Sequence, residues 1–278
     1  MAHHVEGKSI IVTGAGGGFG RLVSGKAAAL GAKLTCADID LSAAEETAAA
    51  IHAHGGTAQA IRTDVTQIAE MKALAAAAIK AYGGIDVMIN NAGIMPLAFF
   101  SDHEAALDAW NRCIDINIRG VMNGMIAVYD QMIAQGRGHI INLSSIYGNF
   151  PVTGAAVYGA SKAAVNFLSE SLRVEARGKI KVTIVKPTGV PVTGLSATVI
   201  NPEAGIGIVA HNIGAFGEMM GQMAEGTFPP ERLDANSIDY ASLAPEHIAD
   251  AIIHAINQPW GVSIGDITIR ASGDHFVL

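Results

Sequence analysis

The stretch KSIIVTGAGGGFGRLVSGKAAALGA, residues 8–32, changes character twice within 25 residues. Its opening, KSIIVTG (8–14), centres on an apolar run without polar alternation, which is how a strand buried on both faces reads. Five of the seven positions from Gly14 to Gly20 are glycine, and glycine lets a backbone approach another group closely. From Gly20 the apolar residues recur at helical spacing until Gly31 ends the run. A helix that starts at such a loop points its first free N–H groups at it, an arrangement suited to an anion such as a diphosphate. A glycine-rich loop by itself says little; one set between a strand and a helix has the required context.

The same alternation continues outward. KLTCADI (33–39) reads as a strand and LSAAEETAAAIHAHGG (41–56) as a helix. AQAIRTDV (58–65), IDVMINNAG (85–93), GHIINLSS (138–145), KIKVTIVKP (179–187) and VSIGDITIR (262–270) read as further strands. Helices are expected over 67–84, over one long region at 102–134, at about 157–177 and over 245–257. Strands apolar on both faces and separated by helices predict an α/β fold: a doubly wound, Rossmann-type, mostly parallel sheet with helices on both sides. Ligands of such sheets bind at the carboxyl ends of the strands. No composition break divides residues 1–278, so a single domain is expected. Residues 190–240, rich in Gly, Pro, Met and Ala, carry no strand signal and read as a substrate lid.

Half of the 278 residues are hydrophobic, enough for a large core, and the net charge is −7. That balance argues against nucleic acid or an anionic membrane surface as a partner. No run approaches a membrane span, and no secretory signal opens the chain. Cys36 and Cys113 lie far apart without metal-ligand spacing, and the histidines form no i, i+4 pair with a ligand role, so no metal is expected. A reduced, cytoplasmic setting is the economical reading.

The acidic residue expected some twenty positions beyond a dinucleotide loop is Asp38, at the end of the second strand. Its carboxylate suits two ribose hydroxyls and repels a 2′-phosphate. No Arg or Lys flanks it or sits inside the loop, so NAD is expected over NADP. Asp40 or Ser42 serves the following helix as N-cap. Further along, VYGASKAAV (157–165) sets Tyr158 and Lys162 one helical turn apart on one face.

Taken together these residues resemble the short-chain dehydrogenase/reductase family, in its short single-domain branch. Residues 13–20 meet its Thr-Gly-x-x-x-Gly-x-Gly pattern. Asp64-Val65 match the pair beside the adenine ring, and Asn90-Asn91-Ala92-Gly93 match the family's NNAG. Asn117 matches its helix asparagine, Ser145 stands thirteen residues before Tyr158, and Tyr158 with Lys162 gives Tyr-x-x-x-Lys. The resemblance covers about the first 190 residues.

It implies an oxidoreductase that interconverts a secondary alcohol and a ketone. Tyr158 would be the general acid/base and Ser145 would hold the substrate oxygen; Lys162 and the positive nicotinamide ring of NAD⁺ would together lower the Tyr158 pKa, and Lys162 would bind the nicotinamide ribose. Asn117 would hold a water that links Lys162 to solvent. Gly14, Gly17, Gly18, Phe19, Gly20, Asp38, Ile39, Asp64, Val65, Asn91, Ala92 and Gly93 would contact the cofactor. So would Pro187, Gly189, Val190 and Thr193, although the chain departs from the family there. The family has Pro-Gly and then a threonine about five residues past the proline; here the glycine is displaced by one and Thr193 lies six beyond Pro187. The C-terminal IGDITIRASGDHFVL departs too, and is read as a tail at a subunit interface.

The long apolar segment at 190–240, which includes Phe216 and, on an expected common helix face, Met219, Met220 and Met223, favours a hydrophobic substrate. Met95, Tyr147, Asn149, Phe150, Phe216 and Met220 are candidate substrate contacts. No arginine accompanies them to grip a carboxylate, so a cyclic, aromatic or steroid-like alcohol or ketone is expected. Competing readings are a sugar-nucleotide epimerase, an NADP-dependent ketone reductase, and a dinucleotide sensor without activity. The epimerase loop pattern is absent, and sensors of that kind typically lose the tyrosine or lysine. The resemblance also implies a homotetramer.

Overall fold

The computed structural model describes residues 4–190 and 194–277. Seven parallel strands form one sheet in the order β3-β2-β1-β4-β5-β6-β7. They are β1 (Ser9–Thr13), β2 (Lys33–Asp38), β3 (Thr57–Arg62), β4 (Val87–Asn90), β5 (His139–Leu143), β6 (Lys181–Pro187) and β7 (Asp266–Ile269). The chain builds outward from β1 to β3, then returns to lay β4 against the other side of β1. The reversal leaves a crevice between the β1 and β4 ends, where such sheets bind ligands.

Side-chain alternation along each strand divides the core in two. On one face, Ile10 and Val12 pack with α1 (Gly18–Ala29), α2 (Leu41–Ala53) and α8 (Pro245–Ile256). On the other, Ile11 and Met88 pack with α3 (Ile68–Tyr82), α5 (Val121–Gln135) and α6 (Ala156–Glu175). Small residues set the close approaches: a Cβ on Gly124 of α5 would collide with the Asn90 side chain of β4. Asp40 caps α2 by accepting the Ala43 N–H, as expected.

The region 102–134 is not one helix. α4 (His103–Cys113) passes into α5 through a π-helical turn, Ile114–Gly120, with Asn117 at its centre. Such wide turns occur at functional sites, and no Gly or Pro before Gly120 announces this one. The strand expected at 262–270 is shorter, and residues 194–240 hold 3₁₀ turns and α7 (Ile213–Glu225) without a strand. Among the described residues no helix is long and apolar enough to cross a membrane.

A buried polar chain ties β4, β5 and α6 together. Asn90 donates to Asn142 at 2.8 Å, Asn142 donates to Ser169 at 2.8 Å, and Ser169 donates to the Val165 carbonyl at 2.6 Å. On the same sheet His139 is 2% exposed and lies 2.8 Å from Thr183 Oγ1. Burial pulls its pKa down to about 3, with Lys181 and Lys8 acting in the same direction.

The folded chain therefore keeps His139 neutral over a range in which the unfolded chain protonates it. Stability from this group is complete above the ordinary value near 6.5 and is lost as pH falls toward 3, by at most about 1.4 kcal/mol per pH unit. Thermal unfolding between pH 7.5 and pH 4 should show Tm falling more steeply for the native protein than for His139→Gln.

Candidate active site

The loop after β1 is shaped by what it cannot contain. Gly14 has φ of 64° and Gly18 of 47°, the left-handed region that glycine occupies without strain. A Cβ on Gly20 would overlap the Gly14 carbonyl oxygen, so only glycine lets α1 start this close to the loop. A Cβ on Gly16 would lie 2.7 Å from Ala43 Cβ and 2.9 Å from Asp38 Oδ2. The N-cap of α1, Gly17, has no side chain to satisfy the first N–H groups, and the first turn holds no acid. The helix end thus keeps its positive field for an anion.

Asn91 fastens this loop across the crevice: its Nδ2 donates to the Thr13 carbonyl at 2.9 Å and to the Gly14 carbonyl at 3.1 Å. Thr13 Oγ1 donates to the Ile89 carbonyl and accepts the Asn91 and Ala92 N–H groups at 3.1 and 3.2 Å. At the end of β2, Asp38 Oδ2 accepts the Gly16 N–H at 2.9 Å and Oδ1 accepts the Asp40 N–H at 3.1 Å. Its carboxylate is thereby fixed at the mouth of the loop, beside exposed Ile39.

Sequence reading missed Arg21, whose guanidinium lies against the loop. It donates twice to the Gly16 carbonyl and pairs with Glu46 at 3.0 Å. Its place one residue past Gly20 was the available signal. Asp64 is closed on Thr66 by two hydrogen bonds, and Val65 is buried against Gly120 with its carbonyl held by Asn123 at 2.9 Å. Phe19 packs on the core beside the loop. These residues make a cradle that fits a dinucleotide, with glycines where a side chain would collide and a carboxylate at its mouth.

Farther along the strand ends, α6 turns Tyr158, Ser161, Lys162, Val165 and Ser169 inward. Tyr158 is 3% exposed and Lys162 6%, so the pair is no surface coincidence. Lys162 Nζ donates to the Leu143 carbonyl at 2.7 Å, and burial lowers its pKa to about 8. Ser145 follows β5, accepts the Tyr147 N–H at 3.2 Å and is hydrogen-bonded to the Tyr158 side chain.

Burial pushes the Tyr158 phenol above its ordinary value, and the Ser145 hydrogen bond opposes this. Among the chain's own groups Lys162 does not offset this burial. The ammonium is turned to Leu143 and sits 5.8 Å from the ring centre, so desolvation outweighs it among the chain's own groups. Gly93 lies where a Cβ would be 3.7 Å from Lys162 Nζ, so the Ala92-Gly93 backbone borders this group.

Asn117 is fully buried, and its amide is committed to the chain. Oδ1 accepts the Ile94 N–H at 3.0 Å, while Nδ2 donates to the Ile94 carbonyl at 2.9 Å and to Ser161 Oγ at 3.1 Å. The side chain thereby pins the strand-to-loop passage beside Lys162.

Of the substrate candidates, Met95 and Tyr147 are partly buried against the cluster that contains Tyr158. Phe216 packs against Ile146, Ile208 and Val209. The Tyr147 ring meets the Tyr158 ring edge-on at 5.5 Å, and burial raises the Tyr147 pKa to about 12. Asn149, Phe150 and Met220 are not members of these buried clusters. Phe150 is 63% and Met220 48% exposed, and Asn149 is exposed as well. Met219, one position and about 100° round α7, is the buried methionine. Val152 and Val199 join the apolar wall. At the end of β6, Pro187 is buried and Val190 packs on the core, and Gly189 faces the Phe276 ring; Thr193 lies outside the described residues.

The sequence profile described as "short chain dehydrogenase" matches residues 8–204. The chain belongs to the short-chain dehydrogenase family. It is 34% identical to an uncharacterized oxidoreductase of Listeria monocytogenes over 95% of this chain and 96% of that one. It is 36% identical to the 2,5-dichloro-2,5-cyclohexadiene-1,4-diol dehydrogenase LinX of Sphingobium indicum over 69% of this chain and 78% of the other. Among solved structures, a short-chain dehydrogenase/reductase from Burkholderia phymatum in complex with NAD is 28% identical with a TM-score of 0.75, over 96% of this chain and 90% of that one. A metagenomic short-chain oxidoreductase in complex with NADP is 26% identical with a TM-score of 0.72, over 96% and 98%. This chain is thus an oxidoreductase of that family, with its nicotinamide-dinucleotide fold.

Gly20→Ala should abolish cofactor binding or folding, because the added methyl meets backbone that cannot swing aside. Gly25→Ala, farther along α1 with open space at the Cβ position, should do neither. Titrating NADH fluorescence against both variants, with Tm measured in parallel, checks the contrast.

Proposed function

We propose that this chain interconverts a secondary alcohol and a ketone with NAD, on a neutral, largely apolar and ring-bearing substrate. The observation that carries this reading is the buried group Ser145, Tyr158 and Lys162 at the strand ends, on the same edge of the sheet as the glycine cradle. When bound, the nicotinamide supplies the acceptor or donor of hydride. Tyr158, a buried phenol held in its protonated form, gives its proton to the ketone oxygen and takes the hydroxyl proton in the reverse direction. Ser145 Oγ holds the substrate oxygen, stabilising charge as it develops there. Asn117, through Ile94, fixes the loop that carries Gly93 and Met95.

NAD is preferred because the carboxylate of Asp38, fixed by two backbone N–H groups, repels a 2′-phosphate. Arg21, the nearby cation, is already paired with Glu46. The apolar character of Met95, Tyr147, Val152 and Phe216 supports the substrate class, as does the cyclic diol named for the Sphingobium relative. Residues 190–240 act as the substrate lid on this single domain. Exposed Met122, Ile126, Phe167 and Val174 on α5 and α6 support assembly as a homotetramer, in the cytoplasm.

Replacing Tyr158 with Phe should reduce kcat by at least about a hundredfold while NADH binding stays within twofold of the native protein. Lost binding would make Tyr158 a structural residue, and turnover would then need another acid. The assay is a set of cyclic and aromatic secondary alcohols with NAD⁺ and NADP⁺, read by absorbance of the reduced cofactor. In that assay Asp38→Ala combined with Ile39→Arg should raise kcat/KM with NADP⁺ relative to NAD⁺ by about tenfold or more, and an unchanged ratio would refute the ribose assignment.

A further inference from the structure

The C-terminal tail, read in sequence as interface material, is fastened to its own chain. Ser272 Oγ donates to the Ile238 carbonyl at 2.6 Å and the Gly273 N–H to the Tyr240 carbonyl at 2.8 Å. Asn212 Nδ2 donates to the His275 carbonyl at 3.0 Å, the Arg232 guanidinium lies 3.1 Å from His275 Nε2, and the Val277 N–H donates to the Ile208 carbonyl at 3.1 Å. These five ties span the 208–240 segment. Between them Asp274, its side chain 3% exposed, accepts the Phe276 N–H at 3.1 Å and pairs with Arg270, which also donates to the Phe276 carbonyl at 2.7 Å. The clasp sets the direction in which the Phe276 ring leaves the tail.

That ring occupies the space a side chain on Gly189 would need, since a Cβ there would overlap the ring carbons. Gly189 is the glycine displaced by one from the family pattern, two residues past Pro187 at the end of β6. The displacement and the aromatic residue are complementary: the chain gives up a side chain at the one place where the tail inserts a ring. Phe276 packs on Ile146, Ile208 and Val209, the same cluster that carries Tyr147, Val152 and Phe216. Ile146 follows Ser145, and Tyr147 lies edge-on to Tyr158. Phe276 is only partly buried, so part of its surface is left uncovered.

We propose that Phe276 is a specificity-determining residue, a wall supplied by the C-terminal tail that limits how far a substrate extends past Tyr147 toward Gly189. The proposal rests on the alcohol–ketone reading above. Without the ring, space opens next to a glycine that brings no side chain of its own, so longer substrates gain and compact ones lose contact.

The experiment compares the native protein, Phe276→Ala and Phe276→Leu in NADH-dependent reduction of a compact cyclic ketone and a bulky bicyclic one. NADH affinity by fluorescence and Tm are measured alongside. The ratio of kcat/KM, bulky over compact, should rise about tenfold in Phe276→Ala and less in Phe276→Leu. The change should come mainly through KM, with NADH affinity within twofold. Equal loss on both ketones, weakened NADH binding, or failure of both variants to fold would show the ring to be core packing and overturn the proposal. Silence of the native protein on both ketones, with NADH bound, would instead defeat the alcohol–ketone reading and this inference with it.

Discussion

Two loops on either side of a reversal in strand order have to stay in contact, and the side chains of Thr13 and Asn91 keep them there. Asn91 takes the carbonyls of Thr13 and Gly14, and Thr13 Oγ1 receives the Asn91 and Ala92 N–H groups in return. Strand ends in a parallel sheet leave carbonyl and amide groups without ladder partners, and burying them unpaired costs about 1–3 kcal/mol each. The clasp satisfies them and sets the distance between the glycine loop and the Ala92-Gly93 passage. Gly20 under the Gly14 carbonyl and Asn117 around Ile94 then fix the two loops from behind.

Much of this was written in local pattern. Both-face apolar strands and the glycine loop after Thr13 gave the architecture, because a parallel sheet admits few alternatives once strands and helices alternate. The spacing of Tyr158 and Lys162 placed them on one helix face, and the structure adds that this face is buried. What was not legible depends on longer range. The π-helical turn at Asn117 lies inside an unbroken helical pattern, with no Gly or Pro before Gly120 to mark it. Which methionine of α7 turns inward depends on the phase of the helix against the sheet, and a one-residue error sends Met220 outward in place of Met219.

Two further differences concern charge and chain return. A lysine four residues from a tyrosine suggests a lowered phenol pKa, yet the lysine's own hydrogen bond to Leu143 and the desolvation of the ring decide the balance. A sequence pattern records neighbours along a helix, not the dielectric around them. The tail could not be placed at all from sequence, since its partners Asn212, Arg232 and Ile238 are met only when the chain has come back round the sheet.

The buried chain from Asn90 through Asn142 to Ser169 has a consequence for how such a protein diversifies. Rotating α6 by one residue would take Ser169 away from Asn142 and strand that amide in the interior, so the helix has a single favoured setting, like a key cut for one lock. Tyr158 and Lys162 inherit that setting and cannot drift by small steps. The apolar wall around them comes from loops and from the far end of the chain, where a substitution disturbs no such key. Descendants of this chain are thus free to change what they accept while the proton-handling centre stays in place.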